Sequence, residues 1–151
     1  MRKALLLLAV FGLVGSLWAA DPFVGTWTMN LAKSKFNGQP LKSLTMTIEA
    51  QGNGIKCVQD MVSADGKATH RSWTEKYDGK DYAIAGDPDT DTNSVTKSNP
   101  NTIKYVFRKN GKEVDSGLAV VSKDGKTMTD TGGGKDAKGQ AFNYTIFWDK
   151  Q

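Results

Sequence analysis

Thr102-Ile103-Lys104-Tyr105-Val106-Phe107-Arg108-Lys109-Asn110-Gly111-Lys112-Glu113-Val114-Asp115-Ser116-Gly117-Leu118-Ala119-Val120-Val121 reads as one β-hairpin. Ile103, Tyr105 and Phe107 alternate with Thr102, Lys104 and Arg108. A period of two puts one strand face in a core and the other in water. Asn110-Gly111 tolerates the positive φ angles that a tight hairpin turn requires. Beyond the turn, Val114, Ser116, Leu118 and Val120 fall on one face, which the apolar pattern predicts to be the buried one.

The same grammar runs outward from this hairpin. Asp65-Gly66-Lys67, Asp78-Gly79-Lys80, Asp124-Gly125-Lys126 and Lys138-Gly139-Gln140 are further turn signals. The segments between them are rich in Thr, Val, Ile, Tyr, Phe and Trp. Leu44, Met46, Ile48 and Ala50 share a face, as do Phe142, Tyr144, Ile146 and Trp148. The strands expected are 23–29, 44–51, 54–63, 68–77, 81–85, 93–98, 102–109, 112–121, 127–132 and 141–149. A flat meander would expose two edges and an apolar face, and closing it removes both problems. The fold class is therefore all-β, an antiparallel up-and-down meander closed into a β-barrel of about 8–10 strands. At most one short helical turn is expected, over Leu31 to Phe36. The apolar content is lean, which suits a barrel with polar side chains or solvent inside better than a sandwich with two dry faces.

The chain has 151 residues, one Cys and one His. That length excludes a TIM barrel or a full dinucleotide-binding enzyme. A single Cys (Cys57) excludes an internal disulfide framework, and with one His it cannot make an ordinary structural zinc site. Residues 1–20 read as a secretory signal. Arg2 and Lys3 precede an apolar stretch from Ala4 to Val14, and Ala19-Ala20 precedes Asp21-Pro22. The apolar run is short for a bilayer span. The expectation is cleavage after Ala20, a single domain over 21–151, a secreted or periplasmic location and no stable membrane anchor after cleavage. Losing Arg2 and Lys3 lowers the net charge from +4 to +2. No basic run interleaved with aromatics occurs, so no nucleic-acid partner is expected.

Most chemical motifs fail on inspection. Asp87-Pro88-Asp89-Thr90-Asp91 spaces carboxylates like a calcium loop, but Thr92 stands where Gly is needed and Ser98 where Glu is needed. The segment therefore reads as a solvated turn. Gly132-Gly133-Gly134-Lys135 lacks the spacing of a phosphate loop and reads as a flexible hairpin loop. No Gly-x-Ser-x-Gly elbow is present, and His70 lies on a polar strand face. No metal site, cofactor or catalytic residue is expected.

Ala68 to Tyr77 is the more informative segment. Arg71, Trp73, Glu75 and Tyr77 share one face. Trp73 and Tyr77 favour burial, and if they point inward they carry Arg71 and Glu75 with them. An inward Arg in a wet lumen can hold a ligand carboxylate by a two-pronged hydrogen bond; otherwise Arg71 and Glu75 pair with each other near a rim. Tyr105, Tyr144 and Trp148 lie on apolar faces, and their polar tips need partners once buried. Asp130 faces inward if Met128 does.

Phe23-Val24-Gly25-Thr26-Trp27-Thr28-Met29-Asn30 resembles the Gly-x-Trp first-strand motif of the lipocalin-like (calycin) barrels. The chain is also similar to small secreted lipocalin-like proteins of bacteria. The resemblance implies that Trp27 plugs one end of a barrel and that Gly25 lets the strand pack closely. It also implies a small apolar or amphipathic ligand in the lumen. Two features depart from the pattern. The last strand, Phe142 to Lys150, has no Arg to pack over the Trp, and residues 31–43 are too few for a two-helix lid. The reading is a non-enzymatic binding protein with Arg71, Trp73, Glu75, Tyr105 and Tyr144 as ligand-binding residues. The alternative is a packed barrel that binds a protein partner through its surface, as an inhibitor or envelope accessory factor.

Overall fold

The computed structural model describes residues 20–151; the cleavage signal expected over residues 1–20 lies outside them except for Ala20. The strands are β1 (Gly25–Met29), β2 (Lys35–Asn37), β3 (Leu41–Gln51), β4 (Gly54–Ser63), β5 (Ala68–Glu75), β6 (Tyr82–Ala83), β7 (Thr92–Asn99), β8 (Thr102–Lys109), β9 (Lys112–Val121), β10 (Thr127–Lys135) and β11 (Ala141–Lys150). All pairings are antiparallel. The sheet runs β5-β4-β3-β1-β11-β10-β9-β8-β7-β6, with β2 beside β11. Its two ends meet where Ser72 and Ala85 exchange N–H···O bonds of 3.0 and 2.9 Å. The meander is thus closed into an up-and-down barrel, and no described residue is helical.

Local chemistry explains the corners. Asn110 and Gly111 have φ of 50° and 73°, the pair of positive angles that turns β8 into β9. In three of the Asp-Gly-Lys turns the carboxylate of Asp65, Asp78 or Asp124 accepts the Lys N–H two residues on. The helical turn expected over Leu31 to Phe36 contracts to a single backbone turn, Ser34 N–H to Asn30 carbonyl at 3.0 Å. The Ser34 hydroxyl then donates to Asn30 and accepts from Phe147 N–H, which swings the chain into β2. β1 and β2 therefore cover successive stretches of β11 as one strand interrupted by a turn.

The face predicted for β9 is corrected by a bulge. Phe107 pairs with Asp115 and Arg108 with Glu113, leaving Val114 as the extra residue. A bulge shifts the alternation by one position. Val114 still packs on the core, but Ala119 and Val121 are buried while Leu118 and Val120 are exposed. Asp115 consequently faces inward.

One end of the barrel is sealed. Trp27, Phe23, Trp148 and Met128 are the largest fully buried hydrophobic side chains. The Trp27 indole N–H donates to the Phe23 carbonyl at 2.9 Å. Lys150, on the last strand, brings its ammonium to 5.0 Å from the Trp27 ring centroid and donates to the Pro22 carbonyl. Lys150 thus takes the position over the Trp that the missing Arg left open. Gly25, at φ 142°, takes a backbone conformation that other residues rarely adopt, and a Cβ there would meet only the far end of the flexible Lys150 chain. Tyr77 donates to Asp21 at 2.7 Å, and Lys97 pairs with Asp21 at 3.2 Å, tying the first described residues across the same base.

Candidate functional site: an open barrel lumen

The barrel holds a cavity of about 970 Å³, which Phe23, Met128 and Trp148 of the buried cluster help to line. Its wall is mainly apolar: Leu44, Met46, Ile55, Phe107 and Ile146 face it. Its mouth is framed by the loops around Pro40, Asp65, Asp89 and Ala137. The volume lies within the range of small-molecule sites. Arg71, Trp73, Glu75, Tyr105 and Tyr144 all line it, so the alternation did identify inward faces.

The pairing of Arg71 differs from both sequence expectations. Its Nε donates to Gln59 Oε1 at 2.7 Å and its Nη1 to Asp87 Oδ2 at 2.8 Å. The guanidinium also lies 4.4 Å from the Phe107 ring centroid. It is neither an empty anion receptor nor the partner of Glu75. Asp87, expected in a solvated turn, has only 5% of its side chain exposed. Burial works against its carboxylate, but the Asp89 N–H, the Thr90 hydroxyl and Arg71 outweigh it and hold its pKa below the ordinary value. The other carboxylates of that loop are also engaged, Asp89 with Lys67 and Asp91 with Lys109. No group of three metal-ligating side chains occurs among the described residues.

Glu75 is sealed in the wall. It accepts from the Trp73 indole N–H at 2.8 Å and from Asn93 Nδ2 at 2.9 Å. Burial pushes its pKa up to about 7, against those two hydrogen bonds. Burial likewise raises the Cys57 thiol well above its ordinary value, which makes it an inert core residue.

Tyr105 and Tyr144 join two carboxylates into a chain. Tyr105 Oη is 2.6 Å from Asp130 Oδ1 and 2.7 Å from Tyr144 Oη, and Tyr144 Oη is 2.9 Å from Asp115 Oδ1. These three contacts need three protons, and the two phenols carry two. With both carboxylates ionised, each phenol donates to one of them and the phenol–phenol contact has no proton. A proton on Asp130 or Asp115 completes the chain. Burial raises Asp130 to about 7, with the Tyr105 hydroxyl and the Trp148 N–H opposing and Asp115 adding to the rise. It raises Asp115 to about 6, with Tyr144 and Arg71 opposing. Both phenols are pushed far above their ordinary range by burial and by the carboxylates.

The glycine run read as a flexible loop is strand β10, and it makes room for this chain. A Cβ on Gly132 would stand 2.6 Å from the Tyr144 hydroxyl and 2.7 Å from that of Tyr105, and one on Gly134 would strike the Val114 carbonyl at the bulge. His70 points outward and bonds Asp60 at 2.6 Å. Two polar atoms of lumen-lining residues, Asn93 Oδ1 and Trp148 Nε1, are themselves fully buried and have no protein partner. The Trp148 N–H favours the Asp130 carboxylate but lies outside hydrogen-bond geometry.

The strand order and the open lumen define an antiparallel up-and-down β-barrel with an internal cavity. No family model matches the chain, and no curated protein matches it. Two solved structures are similar to it. One is described as EF1p2_mFAP2b bound to DFHBI, with TM-score 0.49, 13% identity, and 88% of this chain and 97% of that chain covered. The other is zebrafish ileal bile acid-binding protein complexed with cholic acid, with TM-score 0.48, 12% identity, and 86% and 99% covered. The likeness is one of fold alone.

Proposed function

We propose that this chain is a non-catalytic binding protein that holds a small apolar or amphipathic molecule in its barrel lumen. The observation that carries the reading is the cavity of about 970 Å³ inside the barrel, lined by Phe23, Met128 and Trp148 among others. A barrel that acts only through its surface has no use for such a volume, since voids in a packed interior cost stability. Arg71, Trp73, Glu75, Tyr105 and Tyr144 supply a few fixed polar groups on an apolar wall, the usual make-up of a ligand site. Export to the periplasm or beyond is part of the proposal, supported by the sequence of residues 1–20; N-terminal sequencing of the recovered protein checks for a start at Asp21.

The test is titration of the purified protein with an apolar fluorescent probe. Saturable binding of one probe per chain is expected, competed by decanol, and at least ten-fold weaker in Trp73→Ala with the β-sheet circular dichroism unchanged. Absence of saturable binding contradicts the reading.

A further inference from the structure

We infer that the lumen selects an amphipathic cation, a protonated amine on an apolar body, whose ammonium lodges against Asp115 and Asp130. The inference rests on the lumen being a ligand site and names the ligand's chemistry. Its first support is the count of charges on the wall. Arg71 is the one cation of the interior among the described residues, and Asp87 already neutralises it. Asp115, Asp130 and Glu75 then face the cavity with no cation of their own. An uncompensated carboxylate in an enclosed space is costly, and it either takes a proton or finds a counter-charge.

The second support is geometric and separates the three carboxyls. Glu75 is 2% exposed and has both oxygens engaged by Trp73 and Asn93. Asp115 and Asp130 line the cavity at the two ends of the phenol chain, each with one phenol as its side-chain partner. That chain is one proton short when both are ionised. An ammonium beside them supplies the positive charge that otherwise only a bound proton supplies, and its N–H groups make charge-assisted bonds to the carboxylates.

Ionised Asp115 and Asp130 leave the lumen wall with acceptors in excess, the reverse of what an anionic ligand needs. The rim does not overturn this. Lys67 and Lys109 are paired with Asp89 and Asp91, and Lys135 and Lys138 are exposed where solvent screens them.

The experiment compares three ligands with the same tail, decylamine, decanol and decanoate, each displacing the apolar probe from the purified protein at pH 7.5 and physiological salt. Decylamine is expected to displace it at a concentration at least ten-fold lower than decanol, with decanoate weakest. In the double variant D115N/D130N the amine's advantage over decanol is lost. Decanoate binding as tightly as decylamine overturns the inference, as does an amine preference that survives in the double variant. Decanol binding without any amine preference overturns it and leaves the lumen site standing; failure of all three ligands overturns both. The ranking in the unmodified protein decides the matter even if the double variant does not fold.

Discussion

Proton placement sets the behaviour of the lumen residues. Glu75, Asp115 and Asp130 all have pKa values raised by burial, to about 7, 6 and 7. In the unfolded chain they ionise near the ordinary carboxylate range. Between those limits the folded barrel binds more protons than the unfolded chain, so stability is present at low pH and lost as pH rises through 6 to 7. The lowered carboxylates, Asp65, Asp78, Asp87, Asp91 and Asp124, act in the opposite sense, but only below about pH 4. The barrel should therefore melt at least about 4 °C higher at pH 5.5 than at pH 8. Differential scanning calorimetry checks this, and the slope should shrink in D115N/D130N. A melting temperature that rises from pH 5.5 to 8 contradicts the assignment. The residues of this cluster were only half legible in the sequence. Tyr105, Tyr144 and Glu75 stood on alternating faces. Asp115 did not, because the bulge at Val114 moves it across the sheet without leaving a mark that periodicity detects.

At the scale of elements, the strands followed from the alternation and the corners from the turn residues. β4, β8 and β9 begin and end where the sequence placed them. β2 escaped notice because a three-residue strand has too few positions to alternate, and its direction is set by the Ser34 hydroxyl rather than by apolar pattern. The glycines of β10 look like a loop because Gly is a poor strand former, and only the neighbouring phenols explain them. In the turn from Asp87 to Asp91, read as solvated, the Asp87 side chain and Thr90 are instead buried. The segment from Ile84 to Asp91 is pinned over the lumen by Asp87 on Arg71, by Ile84 N–H on Asp91 and by the Ser72–Ala85 closure. Breaking a buried pair by removing one partner leaves the other charge uncompensated. Asp87→Ala should cost about 3 kcal/mol in denaturant unfolding and raise amide hydrogen exchange over 84–91 well above that of β8. Unchanged exchange in that segment would mean that Arg71 does not anchor it.

The whole molecule combines a rigid plugged base with a hollow upper barrel. Trp27, Lys150 and the Asp21–Tyr77–Lys97 cluster lock the base, and the polar groups of the cavity wall lie above it. Among the described residues no helix is long and apolar enough to cross a membrane. Barrel closure was legible in the sequence because an all-β meander with one apolar face has few other ways to bury it. The hollow interior was not, because alternation reports which way a side chain points and never how much space lies beyond it. That space is the central claim, and the three indoles among the described residues report on it separately. Trp27 Nε1 is bonded to Phe23, Trp73 Nε1 to Glu75 in the wall, and Trp148, a lumen-lining residue, has its Nε1 buried without a partner. The most direct measurement is a ¹⁵N-correlated NMR titration of those indole N–H signals with decanol. The account predicts that the Trp148 and Trp73 signals shift to saturation together while the Trp27 signal stays in place. Signals that do not move at all, or a Trp27 signal that moves while the other two stay fixed, would contradict a ligand-binding lumen.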